Sequence, residues 1–231
     1  IVLFDTQNGN YIKHMSLSNY PVAMIRWKTS GTKPVLNAVH SDGKVSQWYA
    51  NAGKLLYSFE EKDNFIMCMD YDVKGTVFAT GGSDNQIRIY DDETKSIINT
   101  ISGNVDYITH SNRIFSILFG KEKVYESLII SGGWDNTIKF SDVRSKKIVN
   151  SIYGPHIVGD SLDMKDHYLL TGSTDIKDQI KIWDLRTFEV VETVKFEPDQ
   201  PENKFFVTNI NCAQFGKYHD AFDTSKFYNT F

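Results

Sequence analysis

Ile180-Lys181-Ile182-Trp183-Asp184 is the stretch from which the rest of the chain can be read. β-Branched residues alternate with a polar one, then Trp and Asp follow. That is a short strand stopped by a turn-forming acid. The pattern recurs as Ile1-Val2-Leu3-Phe4-Asp5, Val45-Ser46-Gln47-Trp48-Tyr49, Ile87-Arg88-Ile89-Tyr90-Asp91 and Ile138-Lys139-Phe140-Ser141-Asp142. The fourth residues fall at 4, 48, 90, 141 and 183, spaced by 44, 42, 51 and 42. Recurrence at such a period marks a stacked supersecondary unit.

The units share the same surroundings. Tight-turn sequences precede three of the strands: Ser41-Asp42-Gly43, Ser83-Asp84-Asn85 and Trp134-Asp135-Asn136. Gly and Asn suit hairpins because they accept positive φ. Before the turns, residues 35–39, 77–80, 128–131 and 169–171 read as second strands. Residues 22–27, 65–71, 114–119 and 210–215 read as first strands. Residues 55–59, 97–101, 148–153 and 190–196 read as fourth strands. Four short antiparallel strands per ~43 residues is an all-β repeat, and no long window shows helical periodicity.

The chain resembles the WD40-repeat family along essentially its whole length, with Trp183-Asp184 the clearest copy. The resemblance implies an all-β propeller of about five blades' worth, cut from a larger ring that in this family usually has seven. The expected units are 1–20 (partial), 21–61, 62–104, 110–154, 155–197 and 205–231 (partial). Both ends read as strands, so the chain is expected to be a piece of a longer protein. The family's blades share a buried tetrad: His before the first strand, Ser or Thr in the second, Asp in the hairpin turn, Trp in the third. Matched residue by residue, this implies His110, Ser131 and Asp135 in one blade, with Ser141 in the Trp slot. It implies Thr80 and Asp84 in another, with Tyr90 for Trp and Lys62 for His. A third has Thr171 and Trp183, with Asp175 as turn acid. The first full unit has Ala38, Asp42 and Trp48. Three stretches break the pattern: residues 103–109, 198–204 and 217–226.

Composition bounds the function. The chain has 231 residues, 41% hydrophobic and 23% charged, enough for a core without staples. A net charge of −4 argues against non-specific nucleic-acid binding, which needs many phosphate-neutralising cations. No apolar run reaches the ~18 residues of a membrane span. Cys68 and Cys212 are the only cysteines, and no glycosylation sequon occurs, so a reducing, non-secreted setting is expected. The six His residues lack metal-ligand spacing. His14, His40, His156, His167 and His219 read as surface or edge residues. Gly81-Gly82 and Gly132-Gly133 end second strands and form no phosphate loop. Ser131 with His110 and Asp135 has triad composition, but the turn acids recur once per blade and do not converge on one reacting centre. No enzyme, metal, cofactor or small-molecule substrate is therefore expected.

What remains is surface. By family matching, interaction positions are the residue before each turn acid (Ser41, Ser83, Trp134, Thr174) and alternating residues entering the first strands. The latter include Pro21, Ala23, Phe65, Met67, Arg113, Phe115, His156, Val158, Asn209 and Asn211. Trp134, Arg113, Phe115, Phe65 and Met67 are expected to cluster near the central channel. Trp and Arg are enriched in binding hot spots, and Met suits adaptable interfaces. The leading expectation is a non-catalytic scaffold for other proteins, in a cytoplasmic, cytoskeletal or ciliary microtubule-associated assembly. The alternative is a substrate receptor of a cullin-RING ubiquitin ligase. Its feature is Asp-x-Arg in consecutive blades, Asp142-Val143-Arg144 and Asp184-Leu185-Arg186, where the family resemblance implies that Arg144 and Arg186 touch an adaptor.

Overall fold

The computed structural model describes residues 1–103, 109–195 and 209–216. Most of the irregular stretches at 103–109, 198–204 and 217–226, and the strand expected at the C-terminal end, lie outside them. The described residues are all-β, with a single 3-10 turn at Lys123–Tyr125. A two-stranded hairpin, β1 (Val2–Phe4) and β2 (Tyr11–His14), precedes four antiparallel four-stranded sheets. The first sheet is β3 (Val22–Trp27), β4 (Val35–His40), β5 (Lys44–Tyr49) and β6 (Lys54–Glu60). The second is β7 (Ile66–Tyr71), β8 (Val77–Gly82), β9 (Ile87–Asp91) and β10 (Ile97–Ile101). The third is β11 (Ile114–Phe119), β12 (Leu128–Gly133), β13 (Thr137–Asp142) and β14 (Lys147–Tyr153). The fourth is β15 (Leu162–Lys165), β16 (Tyr168–Gly172), β17 (Ile180–Asp184) and β18 (Glu189–Val194).

Each sheet is a meander in chain order, and first strands meet first strands: β3 packs on β7, β7 on β11, and β11 on β15. The sheets are therefore propeller blades. Their middle strands are covered on both faces by neighbouring blades, so they read as apolar runs rather than clean alternation. Ile129 and Ile130 are adjacent in β12 and both fully buried. The fourth strands lie at the rim, where Leu56, Ile97, Ile98, Val149 and Val191 are exposed.

The recurring Asp of the five-residue pattern has a local job. In β9 the Asp91 Oδ1 accepts N–H bonds from Glu93 and Thr94, and in β13 the Asp142 Oδ1 accepts them from Arg144 and Ser145. Asp184 Oδ1 accepts one from Arg186. These carboxylates close the turn into the fourth strand as Asx turns do. A few residues later the chain takes positive φ at Lys95, Lys146 and Phe188, and at Gly53 in the first sheet. The second-to-third turns use Gly43, Asn85 and Asn136 at positive φ.

Two expected first strands differ. In the fourth sheet the first strand begins at Leu162, not at His156 and Val158. Pro155 and Gly159 interrupt the run, and Asp160 instead makes an isolated parallel bridge to Cys212. Residues 210–215 form no strand. They nevertheless lie against the fourth sheet as β11 lies against the second: Phe215 N–H donates to Asp163 Oδ2 as Phe119 N–H donates to Asp70 Oδ2, both at 2.9 Å. A Cβ on Gly172 would meet Ile210 and Ala213, as one on Gly81 would meet Ile114 and Ile117.

Candidate docking face and the blade networks

Each blade closes with one hydrogen bond of the same kind. The residue before the turn acid donates its N–H to the carbonyl at the entrance to the first strand: Ser41 to Pro21, Ser83 to Phe65, Trp134 to Arg113 and Thr174 to His156, at 3.0, 3.0, 3.0 and 3.1 Å. Phe65, Arg113 and His156 are thus equivalent positions in three successive blades. The approach is close enough to demand glycine. A Cβ on Gly133 would stand 2.1 Å from the Arg113 carbonyl oxygen, and one on Gly82 would stand 2.2 Å from that of Phe65. Backbone cannot swing aside as a side chain can, so Gly133→Ala is expected to cost about 1–3 kcal/mol. A urea titration checks this; a change below about 0.5 kcal/mol would contradict the packing.

Trp134 is 39% exposed. Its ring stacks on Phe115 (centroids 5.1 Å, 21° between planes) and on His156 of the following blade (6.2 Å, 19°). The Arg113 guanidinium lies 5.4 Å from the Trp134 ring centroid, in cation–π range. His156 is held by Asn136, whose Oδ1 lies 2.5 Å from His156 Nδ1. Phe115 also faces a cavity of about 420 Å³ lined by Met67, Val158 and Arg26, among others. Met67 therefore joins the group through the cavity. Phe65 is 56% exposed at its equivalent position, but among the described residues its ring pairs with no other.

Behind this face the polar networks differ from blade to blade. In the third sheet His110 Nε2 lies 2.8 Å from Ser131 Oγ, and Nδ1 lies 2.9 Å from Asp135 Oδ2. With the proton on Nδ1 the ring donates to the carboxylate and accepts from the Ser131 hydroxyl. Burial alone would raise the Asp135 pKa; the hydrogen bond from His110, with those from Thr137 and the Ser111 N–H, pulls it to about 2. Ser131 is fully buried, so this Ser–His–Asp set is enclosed within its blade. Ser141, in the Trp slot, is buried without a hydrogen-bond partner among the described residues.

In the second sheet the residue in the His slot is Glu61, not Lys62. Asp63 at φ 58° absorbs one extra residue and swings Glu61 inward, leaving Lys62 exposed. Glu61 accepts from Thr80 Oγ1 (2.5 Å), Tyr90 OH (2.9 Å), Asn64 Nδ2 (2.7 Å) and Arg88 (3.1 Å). Arg88 also reaches Asp84 at 2.5 Å.

In the first sheet Trp48 Nε1 donates to Ser46 Oγ at 2.9 Å, and His40 Nε2 lies 3.0 Å from the same oxygen. His40 is 2% exposed, so it is a core residue and not an edge one; burial lowers its pKa. Asp42 bonds Ser18 and Lys44, and Ala38 contributes its carbonyl to Ser46. In the fourth sheet Trp183 Nε1 donates to Thr171 Oγ1 at 3.0 Å, while Asp175 accepts from Ser173 at 2.5 Å.

Sequence reading missed the weld between the first and second sheets. Buried Asp92 accepts from Lys28 (2.6 Å), Lys95 (2.9 Å), Tyr71 OH (2.8 Å) and Gln47 (3.0 Å). Its signal was weak: a second acid after Asp91, outside the repeated five. Arg186 folds onto Asp184 as a two-pronged pair (3.0 and 2.6 Å). Arg144 lies 3.8 Å from Asp142 and donates to Ser127 Oγ.

The model of the family "WD domain, G-beta repeat" matches residues 53–91, a stretch running from β6 through β9. Eukaryotic translation initiation factor 3 subunit I of Culex quinquefasciatus is 24% identical over 193 residues, covering 79% of this chain and 57% of that protein. WD repeat-containing protein 1 of Gallus gallus is 26% identical, covering 60% of this chain and 22% of that protein. The chain thus spans little more than half of the first relative and under a quarter of the second. The solved structure of U3-55K superposes with a TM-score of 0.65 at 13% identity, over 77% of this chain and 53% of that one.

Proposed function

We propose that this chain, which carries a WD-repeat match at residues 53–91 and is folded into β-propeller blades, is a docking scaffold of the WD40-repeat kind that holds another protein on the face carrying Trp134. The observation behind this reading is the ring stack Phe115–Trp134–His156, which crosses from the third blade to the fourth with an Arg on top. A half-exposed Trp fixed by neighbours on a rigid scaffold has little entropy left to lose on binding, and Trp and Arg are both enriched among hot spots. The similarity to an initiation-factor subunit supports membership of a multi-subunit assembly. Whether that assembly is cytoplasmic, cytoskeletal or ciliary follows from the partner.

Site-specific photo-crosslinking in cells tests the reading. A crosslinker at Asn112, exposed beside Arg113, is expected to give a discrete adduct; one at Val149, exposed on the rim strand β14 of the same blade, is not. Adducts from position 149 alone would move the interface to the rim. The ligase-receptor reading rests on Arg144 and Arg186 reaching outward. Arg186 is instead engaged by its own Asp184, so the docking reading stands first. An adaptor pull-down with Arg186→Ala separates the two.

A further inference from the structure

The chain has five arginines, and four have carboxylate partners. Arg26 pairs with Asp160 (2.6 Å) and Asp70 (3.5 Å), and Arg88 with Asp84 and Glu61. Arg144 lies by Asp142 and Arg186 by Asp184. Arg113 has none among the described residues: its guanidinium is exposed and rests only on Trp134. The nearest turn acid, Asp135, does not neutralise it, because that carboxylate is 3% exposed and turned inward to His110, Ser111 and Thr137. A guanidinium prefers a planar, two-pronged carboxylate, and the contact with the indole holds this one beside the ring.

The other half of the site is apolar. Two residues along the chain from Arg113, Phe115 stacks on the same Trp and also walls the cavity of about 420 Å³. The cavity opens where the inner strands converge, with Met67 from the second blade and Val158 from the fourth facing Phe115. Its one cation, Arg26, is already satisfied by Asp160 and Asp70, so the space offers an incoming group mainly apolar walls. Alternate side chains of an extended segment lie about 6.5–7 Å apart, the span from an arginine to the residue two places on.

We propose that this face reads a protein segment in which a carboxylate stands within two residues of a bulky apolar side chain, the carboxylate on Arg113 and the apolar group in the cavity between Met67, Phe115 and Val158. This rests on the docking reading above and adds the partner's chemistry to it. The net charge of −4 does nothing to steer an acidic partner at long range, so recognition is local and modestly salt-dependent.

The test is selection of a phage-displayed random dodecapeptide library on the chain, with subtraction against Trp134→Ala. Synthetic copies of the enriched peptides are then titrated against wild type and Arg113→Glu. The expected pool has Asp or Glu within two positions of Leu, Ile, Met or Phe. The exposed substitution Arg113→Glu should weaken those peptides by about tenfold or more, and Lys in place of their acid should restore binding to that variant. A Trp134-dependent pool without acidic bias, or one indifferent to Arg113→Glu, overturns the carboxylate inference and leaves the docking face standing. No Trp134-dependent pool at all overturns both.

Discussion

Glu61→Ala is expected to destabilise the chain by about 3–5 kcal/mol, the range found when one member of a buried charged network is removed. The carboxylate is 3% exposed and accepts from Thr80, Tyr90, Asn64 and Arg88. Ala leaves the hydroxyls, the amide and part of a guanidinium without acceptors in a site that water does not reach. Each orphaned group carries its own desolvation penalty. Arg88 keeps Asp84, which is why the loss stays within the range and does not exceed it. Glu61→Gln retains the shape and an acceptor oxygen, so it should lose less than Ala. Urea unfolding of the three chains checks the order; a loss below about 1 kcal/mol for Ala would mean that Glu61 does not occupy the His slot of this blade.

The second large effect is expected at Asp92, where the same range applies. Asp92→Ala removes the carboxylate shared by Lys28, Lys95, Tyr71 and Gln47 at the seam between two blades, and leaves Lys95 only the carbonyl of residue 92. It should therefore loosen the contact of the first blade with the second as well as lower global stability, visible as faster amide exchange in β4 and β5. The seam also predicts a pH dependence. Burial alone would raise the Asp92 pKa, but Lys28, Lys95 and Tyr71 outweigh it and hold the value below the ordinary one. A depressed carboxylate binds fewer protons in the folded state than in the unfolded state. Its stabilisation is present above the unfolded pKa of ~3.9 and is lost as pH falls through the folded value. The stability of Asp92→Ala should fall less steeply than wild type below about pH 4. Parallel slopes would contradict the ion pairing.

Periodicity made the architecture legible. Five copies of one strand, with Asp-Gly or Asp-Asn two to three residues ahead of three of them, placed most of the strands within a residue or two, because strand spacing and turn chemistry are local. The first strand of the fourth blade was not legible. Its entrance, residues 155–161, is steered by contact with residues around Cys212, a long-range effect that no window shows. The Glu61 slot was displaced by one residue because a left-handed Asp63 cannot be read from a family spacing. His40 read as an edge residue because its burial depends on the rotation of β4 against β5. The stack of Trp134 on Phe115 and His156 joins residues from two blades. Sequence could place Trp134 and Phe115 on one face, but the ring geometry depends on the cross-blade contact, and the weld at Asp92 arises from packing alone.

The docking reading is tested most directly by the affinity of the protein crosslinked through position 112 for wild type, Trp134→Ala and Val149→Ala, each shown to be folded by its β-sheet circular dichroism and melting temperature. Truncating Trp134 is predicted to cost about 2 kcal/mol or more, roughly thirtyfold in Kd, while Val149→Ala stays within about 0.5 kcal/mol. A folded Trp134→Ala chain that binds within about 0.5 kcal/mol of wild type would contradict the reading and place the interface elsewhere on the propeller.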